Sequence, residues 1–185
     1  EPSSDKFRVI LRKIFLLIEN DGKEILEDFR NKKLNNLKKR EETREIIDTY
    51  TNFCRRLIIK DKVGGTKNSY LMILIISRLS LIYHAYYYMY KSSSSKKIFL
   101  NKEILSLLEK TNELFNLFYE TFYKTNLEKA HKIGVLKDQM IYNTLYDLLQ
   151  KTKGKENIVL YHLGEIIRLI HISSTNIFGL IEQNK

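Results

Sequence analysis

The sequence predicts an all-α protein, a six-helix bundle made of two pseudo-symmetric three-helix repeats. Composition is the first reason. One Pro and seven Gly in 185 residues are too few for a chain of tight β-turns, while abundant Lys, Glu, Leu, Ile and Asn suit long helices. The second is apolar periodicity, which returns at three- and four-residue steps in six successive segments. The third is duplication. Segments 70–90 and 158–181 are apolar almost all the way round, and each is broken by an internal Arg (Arg78, Arg168) and then a His (His84, His171). Each also follows a short turn bearing glycine, Gly64-Gly65 or Gly154. A helix hydrophobic on every side must be covered on every side, so both belong at the centre, each as the third helix of its set.

The first helix is expected over residues 6–30, with Phe7, Ile10, Ile14, Leu17, Ile18, Ile25 and Phe29 on one side and a local weakness, or bend, at Asn20-Asp21-Gly22. The second covers 34–60 through Leu37, Ile46, Ile47, Tyr50, Phe53, Leu57 and Ile58. Residues 61–67 form a turn before the third helix, 70–90. Residues 91–97, with four consecutive serines, are a low-complexity linker between repeats. The fourth helix then carries Ile104, Leu107, Leu108, Leu114, Phe115, Phe118 and Phe122. After a turn near Asn126 the fifth carries Ile133, Leu136, Met140, Ile141, Leu145 and Leu148. Residues 151–157 turn the chain into the sixth, which ends near Glu182. Short connections make sequential helices antiparallel neighbours. The whole is one domain, with repeat 1 over about 6–90 and repeat 2 over about 98–185.

Thirty-two Lys and Arg against 22 Asp and Glu give a net charge of +10, which favours acidic partners such as nucleic acid, phosphate-bearing ligands or an anionic membrane surface. Much of that charge nonetheless alternates in sign at helical spacing, as in Lys38 with Glu42 and Arg44 with Asp48, the pattern of a solvated face. The single Cys54 rules out an internal disulfide and suits a small core position in a reducing, cytoplasmic interior. Segment 70–90 approaches the length of a membrane span, but Arg78 and His84 inside it argue for a buried bundle helix and no span.

Several strings resemble the PhoU family of phosphate-uptake regulators, especially its archaeal branch. That family has two three-helix repeats whose last helices carry a motif close to Leu-Glu-Arg-Ile-Ala-Asp-His-Ala, then Asn-Ile. Here the third helix offers Arg78-Leu79 and His84-Ala85. The sixth offers Arg168-Leu169-Ile170 and Thr175-Asn176-Ile177, and the string from Leu11 to Leu17 looks like the family's opening helix. The resemblance implies a module that reports phosphate status to transport or transcription, acting through a protein partner or a homodimer and not as an enzyme. It also implies an upstream AbrB-like DNA-binding domain, which the absent initiator Met and the polar opening residues fit. Family members hold iron or zinc through carboxylates at Glu/Asp-x-x-x-Asp spacing. Here the motif's Asp falls near Tyr83 and Ile172, leaving Glu41, Glu45 and Asp48 on the second helix and Asp138, followed by Tyr142, on the fifth. These are vestiges, so no metal and no other cofactor is expected.

An alternative chemistry rests on Arg78 and His84, whose spacing resembles the Arg-x(4–6)-His signature of HEPN-type ribonucleases. There His would act as acid or base and Arg would stabilise phosphorane-like charge. Six positions apart on one helix, the two side chains diverge by about 120°. Tyr83, Tyr86, Tyr87 and Tyr90 share one face, either as a stacking or interaction surface or as packing near a helix end. Ser92 to Ser95 with Lys96-Lys97 make an inter-repeat linker, or an anion site at the start of the fourth helix.

Overall fold

The computed structural model describes residues 2–61, 65–124 and 126–182, with side chains over 5–60, 68–124 and 126–180. Among them every regular element is helical. The rods are α1 (Pro2–Arg30), α2 (Leu37–Asp61), α3 (Gly65–Lys96), α4 (Lys102–Lys124), α5 (127–151) and α6 (Asn157–Glu182). The rod α5 is α-helical over Leu127–Asp138, widens to a π-helix over Gln139–Leu145 and closes as α-helix over Tyr146–Lys151. Of the turn expected at 61–67, residue 61 is still in α2 and 65–67 already belong to α3, so the connection is shorter than expected; 62–64 lie outside the described residues.

The expected all-α bundle is therefore present. Its most extensive seam joins α3 to α6, the two helices that the apolar pattern places at the centre. α2 packs on α3 as α5 packs on α6; α1 leans mainly on α2, whereas α4 leans on both α6 and α5, and α1 meets α4 across the middle. Aromatic rings fill that last seam. Phe15 lies 5.2 Å from Phe122, 5.3 Å from Tyr119 and 5.5 Å from Phe118, centroid to centroid, close enough for tilted-ring attraction. Ile14, Ile25, Ile47, Ile75, Leu107 and Ile166, from five of the helices, are wholly buried in the same core.

Two local expectations need correction. Asn20-Asp21-Gly22 does not interrupt α1. Gly22 serves close approach instead, since a Cβ there would stand 3.0 Å from Asn112 Oδ1 on α4, and the Asn112 side-chain amide donates to the Gly22 carbonyl at 2.9 Å. Residues 91–96 are not a linker either, because α3 runs through them. Ser93 is buried, and the Ser94 hydroxyl donates to the Leu34 carbonyl at 2.7 Å. These tertiary contacts override the weak helix propensity of serine. The true connection is 97–101, and Asn101 caps α4 by accepting from the Ile104 N–H at 2.9 Å. The serines thus end one helix instead of opening an anion site on the next.

Residues 68–96 are long and apolar enough, by length and composition, to cross a membrane, an 18-residue window within them having mean hydropathy 1.3. In this fold the same stretch packs on α1, α2 and α6, and exposes Leu81 and Tyr88 on its outer side.

Candidate functional site

Of the residues that the sequence singles out, Glu41 and Asp48 on α2 and Tyr83, His84, Tyr87 and Tyr90 on α3 lie along the seam between those helices, next to α1. Arg40 on α2, which the sequence pattern does not single out, is completely buried beside them. Its guanidinium donates to Asp21, to Glu24 at 2.8 Å and to Asp28 at 2.9 Å, all on α1. The spacing of these acids, three and then four residues apart, puts them on one face of α1. From α3 the Tyr83 hydroxyl donates to Asp21, and the Tyr90 hydroxyl to Asp28 at 2.8 Å.

One cation facing three carboxylates leaves an excess of negative charge, and burial decides where it is felt. At Asp21 desolvation outweighs the hydrogen bonds from Tyr83 and Arg40, so its pKa rises above the usual value. Glu24, nearly half exposed, is lowered by its hydrogen bonds from Lys39 and Arg40. Burial opposes the charge on Arg40, but Glu24, Asp21 and Asp28 together overcome it and raise the group further. Burial likewise pushes the Tyr90 phenol up to about 12 and drives that of Tyr83 higher.

The proposed tyrosine surface is accordingly not a surface. Tyr83, Tyr86, Tyr87 and Tyr90 are each at most 2% exposed. Their hydroxyls end on groups supplied by other helices: Asp21 for Tyr83, Asn112 at 2.7 Å for Tyr86, Glu41 at 3.1 Å for Tyr87 and Asp28 for Tyr90. A buried phenol with a partner is a packing residue.

Lower on the seam, Asp48 accepts from the Ser80 hydroxyl at 2.7 Å and lies 2.9 Å from His84 Nε2. Both Asp48 and His84 are about a third exposed. A nucleophilic Ser–His–Asp set needs the imidazole in the middle to take the hydroxyl proton. Here the carboxylate is in the middle, so the serine is not activated. Arg78 does not join this group, because its guanidinium donates to the Ile172 carbonyl on α6 at 3.0 Å. The 120° divergence along α3 thus sends Arg78 to one neighbouring helix and His84 to the opposite one.

The candidate metal-ligating carboxylates also separate. Glu41 serves Tyr87, Asp48 serves Ser80 and His84, and Glu45 lies in a shallow cleft beside Glu42 and Tyr50. Asp138, exposed on α5, pairs with the largely covered Lys137 beside it. Among the described residues no group of three or more His, Cys, Asp or Glu side chains is placed to hold a metal ion.

Sequence reasoning missed the Arg40 cluster. Its only written trace is Asp21, Glu24 and Asp28 falling on the same stripe of α1 as Ile25. Two clefts of about 380 Å³ were also not foreseen. One, between α1 and α4, has Glu19, Glu27 and Glu109 on its walls, engaged by Lys23 and Arg30 at 2.7–2.8 Å. The other, between α5 and α6, is walled by Tyr146, Leu149 and Tyr161 with Gly164 in its floor. Compared with protein-family models, with curated proteins and with solved structures, the chain finds no match in any of the three.

Proposed function

We propose that this bundle is a PhoU-type regulatory module in the cytoplasm, coupling phosphate status to uptake or transcription through contacts with a partner protein or its own copy. The observation that carries the proposal is the order of helix packing, α3 on α6 with α2 and α5 outside and α1 on α4. That order is expected of two three-helix repeats related by a rotation. The fate of the seam's polar groups supports it further. Arg40, Tyr83, Tyr87 and Asp48 are tied to one another's helices, which suits a rigid body that works by its surfaces. An upstream DNA-binding domain would make the transcriptional arm direct.

Deleting the gene in its native host tests the proposal. Phosphate uptake should continue in phosphate-rich medium where the parent strain shuts it down, and the gene supplied in trans should restore control. Unchanged uptake and unchanged phosphate-responsive transcripts would remove the regulator from consideration. Incubation with RNA tests the alternative: cleavage that vanishes in His84→Ala would put a ribonuclease in its place.

A further inference from the structure

Three connections share one end of the bundle: 31–36 after α1, 97–101 after α3 and 152–156 after α5. The first two are fastened together by the Ser94 hydroxyl on the Leu34 carbonyl and by the Asn36 N–H donating to the Tyr90 hydroxyl at 3.1 Å. Each connection carries a lysine pair within it or at its edge, Lys32 with Lys33, Lys96 (the last residue of α3) with Lys97, and Lys153 with Lys155. All six are exposed. Among the described residues, none of the six has an ion-pair partner, whereas lysines elsewhere, such as Lys23 and Lys129, do. The three connections themselves hold one acid, Glu156.

Backbone geometry adds an independent observation. α1 and α3 end in the same way, with Lys33 N–H donating to the Asp28 carbonyl and Ile98 N–H to the Ser93 carbonyl, each at 2.9 Å. The residue that closes each helix is left-handed, Lys32 at φ 56° and Lys97 at φ 51°. Glycine or asparagine ordinarily takes that position because a longer side chain is strained there. Stability alone would favour glycine at both, yet both are lysine, at the same end. Between the buried Ile98 and Leu100, Phe99 stands 49% exposed, and no aromatic ring among the described residues stacks on it.

We infer that this end of the bundle docks on an anionic phospholipid surface, its lysines in the headgroup charge and Phe99 entering the interfacial layer. Lysines are compact, mobile charges that suit a diffuse anionic layer, and an outward aromatic ring among them gains by leaving water for the acyl boundary. Nucleic acid would be better served by free arginine forks and stacked aromatic rings. Arg30, the arginine at this end, is already held by Glu27 and Glu109. The inference is independent of the phosphate reading.

The test is cosedimentation of the full chain with phosphatidylcholine vesicles, either neutral or containing about one-third phosphatidylserine, at low and high salt. Binding should require the anionic lipid and weaken with salt. Each lysine near such a surface is worth on the order of fivefold in affinity, so K32G/K97G should bind more than tenfold more weakly. Because glycine relieves the left-handed strain, the same variant should keep or raise its thermal midpoint, which separates lost binding from lost folding. K153S/K155S should weaken binding similarly, and Phe99→Ser several-fold. Equal binding to neutral vesicles, or undiminished binding by both lysine variants, would overturn the inference. So would RNA binding with the same lysine dependence while Phe99→Ser leaves vesicle binding unchanged, which would assign the end to nucleic acid.

Discussion

Replacing Arg40 by Met should destabilise the protein by about 3 kcal/mol near neutral pH, toward the low end of the cost of breaking one side of a buried ion pair. The size follows from what each acid keeps. Glu24 is 46% exposed and retains Lys39 at 2.6 Å, so water and lysine replace the guanidinium. Asp28 is 16% exposed and retains the Tyr90 hydroxyl and the Asn36 amide. Asp21, 5% exposed, retains the Tyr83 hydroxyl alone. One carboxylate out of three is therefore stranded, and Met fills most of the vacated volume. Against a total stability of roughly 5–15 kcal/mol the loss is large.

The same reasoning fixes a pH dependence. The Asp21 pKa is raised in the fold above its ordinary 3.8. Below that value the carboxyl is neutral whether folded or unfolded. As pH rises past it the unfolded chain ionises first, and stability falls until the folded pKa is passed. Without Arg40 the folded value climbs higher and the losing window widens. The gap between parent and variant should thus be small at about pH 4 and full at about pH 7. Adding Asp21→Asn should return about 1–2 kcal/mol, because a neutral amide needs no counter-charge. Urea unfolding at both pH values, with an unchanged dependence on denaturant, measures all three. A loss below about 1 kcal/mol at neutral pH, or a gap indifferent to pH, would refute the argument.

Three further outcomes are expected. The Cys54 thiol is wholly buried and burial pushes it up to about 12, so an aromatic disulfide reagent should find no thiol in the native protein and one equivalent in denaturant; fast native labelling would contradict that burial. Gly164→Ala would place its Cβ 2.8 Å from Leu145 Cδ2, and crowding of about 1–3 kcal/mol should outweigh the roughly 1 kcal/mol of helix propensity gained. A net loss near 1 kcal/mol, relieved by Leu145→Val, is the expected urea result, and a gain in stability would show that Leu145 simply moves aside. Elemental analysis of freshly purified protein should find neither iron nor zinc, since Glu41, Asp48 and Asp138 serve other partners; stoichiometric metal would mean the carboxylates rearrange.

The six rods were legible because each hides an apolar face large enough to impose helical spacing on its sequence. What depended on a neighbour was not legible. Ser93 and Ser94 are weak helix formers, and what keeps them helical is burial and a carbonyl 60 residues away. The widened turn at Gln139–Leu145 leaves no signature, because Met140, Ile141 and Leu145 are buried apolar residues in either kind of helix. Tyrosine is ambiguous in the same sense, apolar by its ring and polar by its tip. Whether a row of them packs or faces outward depends on acceptors elsewhere in the chain, and here Asp21, Glu41, Asp28 and Asn112 supply them.

The largest omission has the most instructive cause. Arg40 sits in Lys38-Lys39-Arg40-Glu41-Glu42, a string whose mixed charge has the pattern of a solvated face. Lys38, Lys39, Glu41 and Glu42 are indeed exposed, and Arg40 alone turns inward. Nothing within the string distinguishes it. The distinction lies on α1, where Asp21 is buried beside Ile25 and Leu26 and cannot stay there ionised without a cation. A lone acid on the apolar stripe of one helix thus predicts a basic residue arriving from another. Arginine meets that demand better than lysine because one planar fork reaches Asp21, Glu24 and Asp28 at once. That single buried fixed charge ties α2 to three acids of α1 and so locks the two helices together.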